Sequence, residues 1–240
     1  MNRLKLSVAA LVTITCAVST GSLAGNLDQI GTLAQSQFLS LSTDLAAAAS
    51  YKGVTPATPL GASGFDVGLE VTQTQLESTA IFRQAGAGDV SNLYVPKLHI
   101  YKGLPFGVDI GAFVSKVSGV DGSLVGAELR YAVLDDGIAT PALGVRLSGT
   151  KLFGVNELTL STVALDAMLS KKLAIVTPYI GAGTVRTQSR ANVAGLREET
   201  FNKSRVFVGL NVNFLITNVA VEAEKMGDNT SLSAKVGFRF

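Results

Sequence analysis

The sequence Asn229-Thr230-Ser231-Leu232-Ser233-Ala234-Lys235-Val236-Gly237-Phe238-Arg239-Phe240 decides the fold. Apolar residues occupy every even position from Leu232 to Phe240, and polar residues or glycine occupy the odd positions between them. Successive side chains of a β-strand point to opposite faces, so this alternation predicts a strand with one apolar and one polar face. A strand forms only within a sheet, so the rest of the sequence is expected to supply strands that continue the same apolar face and the same polar face.

The same alternation recurs from residue 64 onward in segments of about ten residues, the length of a tilted strand that spans a bilayer. In the fourth segment, for example, Val125 and Leu129 share one face, and Glu128 and Arg130 share the other. The facing of segments 157–170 and 173–187 stays open, because they alternate less strictly. The predicted strands lie near residues 64–75, 92–102, 107–118, 123–134, 139–150, 157–170, 173–187, 203–215, 217–226 and 229–240.

The connections between the predicted strands alternate in length. Those after even-numbered strands are short, whereas two of those after odd-numbered strands are long, at about 76–91 and 188–202. Short turns on one side and longer loops on the other are typical of outer-membrane barrels. With an even number of strands, the start of the first strand, Phe240 and all the short turns fall on the same side.

A sheet in hydrocarbon has to close, because every backbone N–H and C=O group needs a partner within the protein. The sequence therefore predicts an all-β fold, a closed antiparallel up-and-down transmembrane β-barrel of about ten strands over residues 64–240. A soluble lipocalin-like periplasmic barrel is the alternative, since it has the same period with the two faces exchanged.

Acidic and basic residues in nearly equal numbers share the polar face. Opposite charges could pair inside a narrow lumen, which favours the membrane barrel. We expect Arg130 and Arg146 to bind lumen carboxylates, including Glu128 and Asp109, and to close the barrel to large solutes. Glu222 and Glu224 lie on the same face. The candidate lumen charge cluster consists of Asp66, Glu70, Lys97, His99, Asp109, Glu128, Arg130, Arg146, Lys235 and Arg239.

The first 24 residues have the pattern of a cleaved secretory signal peptide. Arg3 and Lys5 precede an uncharged, largely apolar stretch that ends in Ser22-Leu23-Ala24. A single membrane anchor is the alternative. Cleavage would remove the only cysteine, Cys16, and would leave 18 acidic residues with an equal number of basic ones. This balance argues against a nucleic-acid-binding surface.

Residues 25–63 precede the predicted barrel and form a separate region. Apolar residues recur there at spacings of three or four, which predicts an amphipathic helix of about 20 residues. They are Leu27, Ile30, Ala34, Phe38, Leu41 and Leu45. The stretch from Lys52 to Gly61 contains two prolines and two glycines and predicts a linker. The region would be a plug inside the barrel, a cap across its periplasmic mouth, or a contact with a partner.

Five short segments are distinctive: Gly64-Phe65-Asp66-Val67-Gly68-Leu69-Glu70, Val95-Pro96-Lys97-Leu98-His99, Lys102-Gly103-Leu104-Pro105-Phe106, Gly126-Ala127-Glu128-Leu129-Arg130-Tyr131 and Thr177-Pro178-Tyr179. Together with the C-terminal strand they resemble a family of uncharacterised Gram-negative outer-membrane β-barrel proteins. The resemblance implies the fold and a location in the outer membrane, with its lipid as the surroundings, and it implies no activity. A helical segment before a barrel is also similar to the long-chain fatty-acid transporters, which have more strands.

The final strand resembles the C-terminal strand of outer-membrane barrels. In those proteins the terminal aromatic residue and the alternating apolar positions are recognised by the barrel-insertion machinery. The resemblance assigns this role here to Val236, Phe238 and Phe240.

No catalytic residue, metal site or cofactor site emerges from the sequence. His99 is the only histidine, and its spacing from Ser115 or Ser148 gives no support to a hydrolase triad. No group of Cys, His and Asp residues has metal-ligand spacing. We therefore expect a non-enzymatic outer-membrane barrel with a structural role or passive passage of small solutes. An envelope-lipid-binding or lipid-modifying barrel is the alternative.

Overall fold

The computed structural model describes residues 27–117 and 122–240; the predicted signal peptide, residues 1–24, lies outside them. A short 3-10 turn at Ile30–Thr32 precedes helix α1 (Gln35–Ala49), and helix α2 (Thr79–Gln84) lies in the first long loop. The strands are β1 (Phe65–Gln75), β2 (Asn92–Gly103), β3 (Val108–Val117), β4 (Gly122–Leu134), β5 (Ala142–Phe153), β6 (Leu158–Ser170), β7 (Val176–Ala191), β8 (Glu199–Phe214), β9 (Thr217–Met226) and β10 (Asn229–Arg239). Neither described helix is long and apolar enough to cross a membrane.

These strands form a closed barrel in which each strand pairs with its neighbours in the chain. All the pairings are antiparallel, and β1 closes on β10 over the register from Asp66↔Arg239 to Thr74↔Ser231. The predicted fold class is therefore confirmed. We call the end with the connections after odd-numbered strands the loop mouth. The other end, where β1 starts and Phe240 lies, is the turn mouth.

Some predicted boundaries were wrong by a few residues. Strand β5 starts at Ala142 because the β4–β5 turn is longer than predicted, and the Lys171 ammonium binds the Ile138 and Thr140 carbonyl groups at 3.2 and 3.1 Å. Strands β7 and β8 extend to a Ser189↔Glu199 pair, so their hairpin projects farther at the loop mouth. In each case the pairing with neighbouring strands determines where the strand ends, and the alternation of apolar and polar residues does not show that position.

The predicted 20-residue helix is interrupted. Leu33 and Ala34 have extended backbone, with ψ angles of 144° and 157°, so the turn at Ile30–Thr32 is separate from α1. The first described residues pack instead against the long β1–β2 loop, where the Gln29 N–H group donates to the Ala85 carbonyl at 3.2 Å. Helix α1 ends where Ser50 becomes extended.

The outer face of the barrel is apolar and exposed. Leu69, Leu98, Leu165 and Val208 are typical, each about half exposed or more. The inner face carries the buried polar side chains, which is the reverse of a soluble barrel. An apolar surface that surrounds a closed sheet suits hydrocarbon, and it would be a large aggregation hazard in water.

Residues 27–63, which we call the plug segment, run lengthwise through the barrel. The segment enters at the loop mouth, where α1 lies among buried apolar side chains such as Phe82 and Phe113. It continues as extended chain and leaves at the turn mouth, where the Phe65 N–H group donates to the Phe240 carbonyl at 2.6 Å. A ten-stranded barrel is wider than the eight-stranded kind that its own side chains fill, and the plug segment occupies the additional space.

Candidate functional site: the occupied lumen

In the half of the lumen nearest the loop mouth, helix α1 fits inside the barrel because its last turns carry small side chains. Ala46 and Ala47 are fully buried against Ala164 and Val185 of the wall. An α-helix with ordinary side chains is about 10–12 Å wide, so an alanine face lets the helix approach the strands closely. The Ser42 and Ser189 hydroxyl oxygens lie 2.8 Å apart and join the helix to β7.

Asp44 holds the same helix to the other side of the barrel. Its Oδ1 accepts a hydrogen bond from Asn229 Nδ2 at 2.7 Å, and its Oδ2 accepts one from the Ser78 N–H group at 2.8 Å. A buried carboxylate is costly unless it is hydrogen-bonded, and here both oxygens have donors. The helix is therefore fixed to β7, to β10 and to the first long loop.

At mid-lumen the plug segment contacts the wall through Tyr51, Lys52 and Gly53. The Lys52 ammonium lies 3.2 Å from Glu224 Oε1. The Tyr51 carbonyl accepts a hydrogen bond from Arg205 Nη1 at 2.7 Å, and the Gly53 carbonyl accepts one from the Tyr101 hydroxyl at 2.8 Å. Both Tyr51 and Lys52 are fully buried. Hydrogen bonds to charged groups are the strongest kind, so this is where the wall holds the segment most firmly.

The backbone at Gly53 and Val54 is shaped by the wall. A Cβ atom at Gly53 would collide with Arg146 Nη1 and would lie 2.9 Å from Glu128 Oε2. Val54 has a φ angle of 45°, a left-handed conformation that is a genuine outlier for a β-branched residue. Strain of this kind costs about 1–3 kcal/mol and persists only where surrounding contacts impose it. The close approach and the strain both indicate a tightly held segment.

The turn half of the lumen holds the extended part of the plug segment. Arg239 Nη2 donates to the Thr55 hydroxyl at 3.2 Å, and the Thr58 hydroxyl lies 3.1 Å from that of Ser170. The Leu60 N–H group donates to Asp109 Oδ1 at 3.1 Å. The segment is thus bound to the wall along its whole length.

The lumen contains a network of charges in which seven acidic residues of the wall accompany His99 and seven basic residues, six from the wall and Lys52 from the plug segment. The Lys97 ammonium and His99 Nε2 each lie 2.6 Å from a Glu70 carboxylate oxygen. The Asp66 carboxylate lies 3.3 Å from Lys235 and 2.6 Å from Arg239. The members of this lumen charge network are Asp66, Glu70, Asp109, Glu128, Asp166, Glu222, Glu224, Lys52, Lys97, Arg130, Arg146, Arg205, Lys235 and Arg239. Pairing makes most of these buried charges tolerable, and the Glu222 carboxylate instead accepts a hydrogen bond from the Tyr179 hydroxyl at 3.0 Å.

The ten charged residues singled out from the sequence all lie on the inner face. Nine are buried, and Arg239 is partly exposed near the turn mouth. The expected partners of the two arginines were correct for Arg130, whose Nη2 lies 2.7 Å from Asp109, with Glu128 farther away at 3.7 Å. Arg146 also binds a lumen carboxylate, but this is Asp166, 2.9 Å from its Nε, and not one of the two carboxylates named from the sequence.

The register explains the partner of Arg146. Arg130 of β4 lies directly opposite Arg146 of β5, and two like charges in this position repel each other, so each guanidinium group turns away from the other. Arg130 therefore turns towards Asp109 of β3, and Arg146 turns towards Asp166, which lies opposite it on β6.

Asp166 and Arg205 were missed as site residues. Asp166 pairs with Arg146 and also with Arg205, whose Nη2 lies 2.5 Å from its carboxylate. The alternation in the sequence of β6 does not define which side chains face inward, and a shift of one residue moves every side chain to the other face. For Arg205 the alternation with Val206 and Val208 was the available signal. Lys52 was assigned to a linker, and nothing local to its sequence indicates the Glu224 partner.

His99 has both ring nitrogens engaged. Its Nε2 faces Glu70, and its Nδ1 lies 2.9 Å from the Tyr101 hydroxyl. Ser115 and Ser148 are therefore not its partners. Within residues 27–117 and 122–240, no group of three His, Cys, Asp or Glu side chains is arranged to hold a metal ion.

Comparison with known proteins gives a likeness in fold only. No family model and no curated protein matches the chain. The translocator domain of the autotransporter NalP from Neisseria meningitidis covers 89% of this chain and 99% of its own length, with 12% identity and a TM-score of 0.42. The KdgM porin in complex with oligogalacturonate covers 73% and 99%, with 8% identity and a TM-score of 0.40. OmpT, an outer membrane protein of Vibrio cholerae, covers 62% and 56%, with 12% identity and a TM-score of 0.31. These likenesses concern the fold and assign no activity to the chain.

Proposed function

We propose that the protein is a non-enzymatic outer-membrane barrel whose lumen is closed by its own plug segment. It has a structural role in the membrane, and small solutes pass only when the plug segment leaves the lumen. The observation that carries this proposal is the buried contact of Tyr51, Lys52 and Gly53 with charged and hydroxyl groups of the wall.

The location is supported by four features of the chain. The barrel has an apolar outer face, and its longer connections lie at one mouth. The N-terminal sequence predicts export, which a barrel of the outer membrane requires. The outward-facing Val236, Phe238 and Phe240 offer the C-terminal strand to the insertion machinery, and outer-membrane lipid surrounds the wall. The proposal gives His99 no catalytic role, because Glu70 and Tyr101 occupy its two nitrogens.

A reversible lock on the plug segment tests the closure. The Ser42 and Ser189 oxygens are 2.8 Å apart, so a double change to cysteine places two sulfur atoms within reach of a disulfide between α1 and β7. We would record single-channel conductance in planar bilayers before and after reduction. Openings should be rare in the parent, absent in the oxidised variant and restored by reduction.

A matched control separates the lock from a general effect of a disulfide. The Thr150 and Thr162 hydroxyls lie 2.7 Å apart on neighbouring strands, so cysteines there link two strands of the wall and leave the plug segment unlinked. The oxidised control should open as often as the parent. A steady current through the oxidised Ser42/Ser189 variant would refute closure by the plug segment. If Lys52→Met with Arg205→Met, which loosens the mid-lumen contacts, also never conducts, passage is refuted and the structural role stands alone.

A further inference from the structure

The barrel wall has a local opening between β2 and β3. Their pairing covers only the part from Leu98↔Val114 to Gly103↔Asp109. By contrast, β2 pairs with β1 along its whole length, from Phe65↔Lys102 to Gln75↔Asn92. Within the described residues, the loop-ward part of β2 therefore has an edge that β3 does not cover. Pro96 lies there, and proline, which has no N–H group to donate, is found in sheets at such edges.

A cavity of about 600 Å³ occupies this opening. Its size falls within the range of about 300–1,000 Å³ that is usual for sites of small ligands. Apolar side chains of the outer face form most of the cavity, and polar groups lie at its inner wall and its loop-ward rim. The lining residues are Leu69, Val71, Pro96, Leu98, Val114 and Val125, with Glu70, Lys97, Ser115, Lys116 and Ser123.

The polar groups of this cavity are not equivalent. Glu70 and Lys97 already form an ion pair at 2.6 Å, so they present no net charge to a ligand. Ser115 is only 5% exposed, and its hydroxyl has no hydrogen-bond partner among the described residues. A buried polar group without a partner is costly, so this hydroxyl is a ready donor to a ligand. Lys116 is exposed at the rim and supplies a positive charge.

We propose that this β2–β3 cleft binds one acyl chain that carries an anionic head group, either a phospholipid of the bilayer or a free fatty acid. The chain lies along Leu69, Leu98 and Val114, and the carboxylate or phosphate enters the gap between β2 and β3, with Lys116 on its outer side and the Ser115 hydroxyl on its inner side. The site opens sideways to the membrane and is separate from the plugged lumen. It rests on the membrane location proposed above.

The test uses tryptophan fluorescence, since the chain contains no tryptophan. Leu69→Trp places a reporter in the cleft, where Leu69 is 63% exposed. Leu165→Trp is the matched control, because Leu165 is 57% exposed on the outer face of β6 and does not line the cavity. Lipids with brominated acyl chains quench tryptophan on contact, and they would be added in small amounts to protein in an unbrominated detergent. The added lipids are phosphatidylglycerol, phosphatidylcholine with the same chains, and a fatty acid.

Quenching of Leu69→Trp by phosphatidylglycerol or by the fatty acid should saturate near one molecule per barrel, with the better ligand identifying the source. Phosphatidylcholine should bind more weakly. Adding Lys116→Glu should raise the half-saturating concentration about fivefold or more, which is about the effect of losing one charged contact at a partly exposed site. Lys151→Glu, the same change on β5 outside the cleft, should have no such effect.

Two failures remain distinguishable. Quenching that rises in proportion to added lipid and is equal at positions 69 and 165 would overturn the cleft site and leave the barrel in its membrane. The lack of quenching at both positions in vesicles made wholly of brominated lipid would overturn the membrane location, and the cleft proposal with it.

Discussion

Removing the negative charge of Asp166 should destabilise the barrel more than any other single change in the lumen charge network. Its carboxylate lies 2.9 Å from Arg146 Nε and 2.5 Å from Arg205 Nη2, and all three side chains are buried. Asp166→Ala leaves two guanidinium groups in the lumen with weakened pairing. The nearest remaining carboxylate oxygen to Arg205 is that of Glu224, at 3.5 Å.

The size of the effect follows from the cost of a broken buried ion pair, about 3–5 kcal/mol. The two pairs share one carboxylate, so their losses do not add fully, and we expect the free energy of unfolding to fall by about 5 kcal/mol. That is a large part of the roughly 5–15 kcal/mol that stabilises a typical domain. Urea unfolding in detergent micelles, with the folded fraction read from heat-modifiable gel mobility, measures the change.

Two further variants show whether charge is responsible. Glu198→Gln removes an exposed acid at the loop mouth and should change stability by no more than about 0.5 kcal/mol. Asp166→Leu combined with Arg205→Met removes one of the stranded charges and should recover part of the loss. If Asp166→Ala unfolds within about 1 kcal/mol of the parent, the network is hydrated and its ion pairs do not hold the barrel together.

Three other changes test separate parts of the structure. Gly53→Ala should lower the free energy of unfolding by about 1–3 kcal/mol in the same urea assay, because the added methyl group collides with Arg146 and Glu128. An unchanged urea midpoint would contradict this close packing. Tyr51→Phe removes the buried hydroxyl that donates to the Tyr101 hydroxyl at 3.3 Å, and it should lower the free energy of unfolding by about 1 kcal/mol in the same assay. An unchanged midpoint would show that this hydrogen bond does not help to hold the plug segment. Phe240→Ala should reduce the amount of barrel found in the outer-membrane fraction. The urea midpoint of the inserted variant should be nearly unchanged, since the ring of Phe240 is 68% exposed. Equal amounts of parent and variant in that fraction would rule out a role of Phe240 in assembly.

The barrel could be predicted from sequence because its signal is local and repeated. Leu232, Val236 and Phe238 show the facing of β10 without knowledge of any other strand, and the even strand count follows from the connection lengths. The inward facing of residues such as Glu70, Arg130 and Lys235 follows from the same alternation. These predictions required only the period of two along each strand.

The contents of the lumen could not be predicted in the same way. Whether Lys52 meets Glu224 depends on where residues 50–61 lie in three dimensions, and a linker composition gives no indication of that. The pairing of Arg146 with Asp166 depends on the register of three strands, which the alternation of each strand leaves undetermined. Interactions that join distant parts of the chain were therefore missed, whereas faces set by neighbouring residues were found.

The path of the plug segment makes the folded protein a threaded ring. The chain enters at the loop mouth, leaves at the turn mouth and only then starts β1, which β10 later closes. Residues 27–60 must therefore be inside before the β1–β10 seam shuts, or they must be drawn through lengthwise afterwards. The threading also separates the two ends of the described chain, since Leu27 lies at the loop mouth and Phe240 at the turn mouth. A tag fused ahead of residue 27 and a tag fused after Phe240 would consequently stand on opposite sides of the membrane.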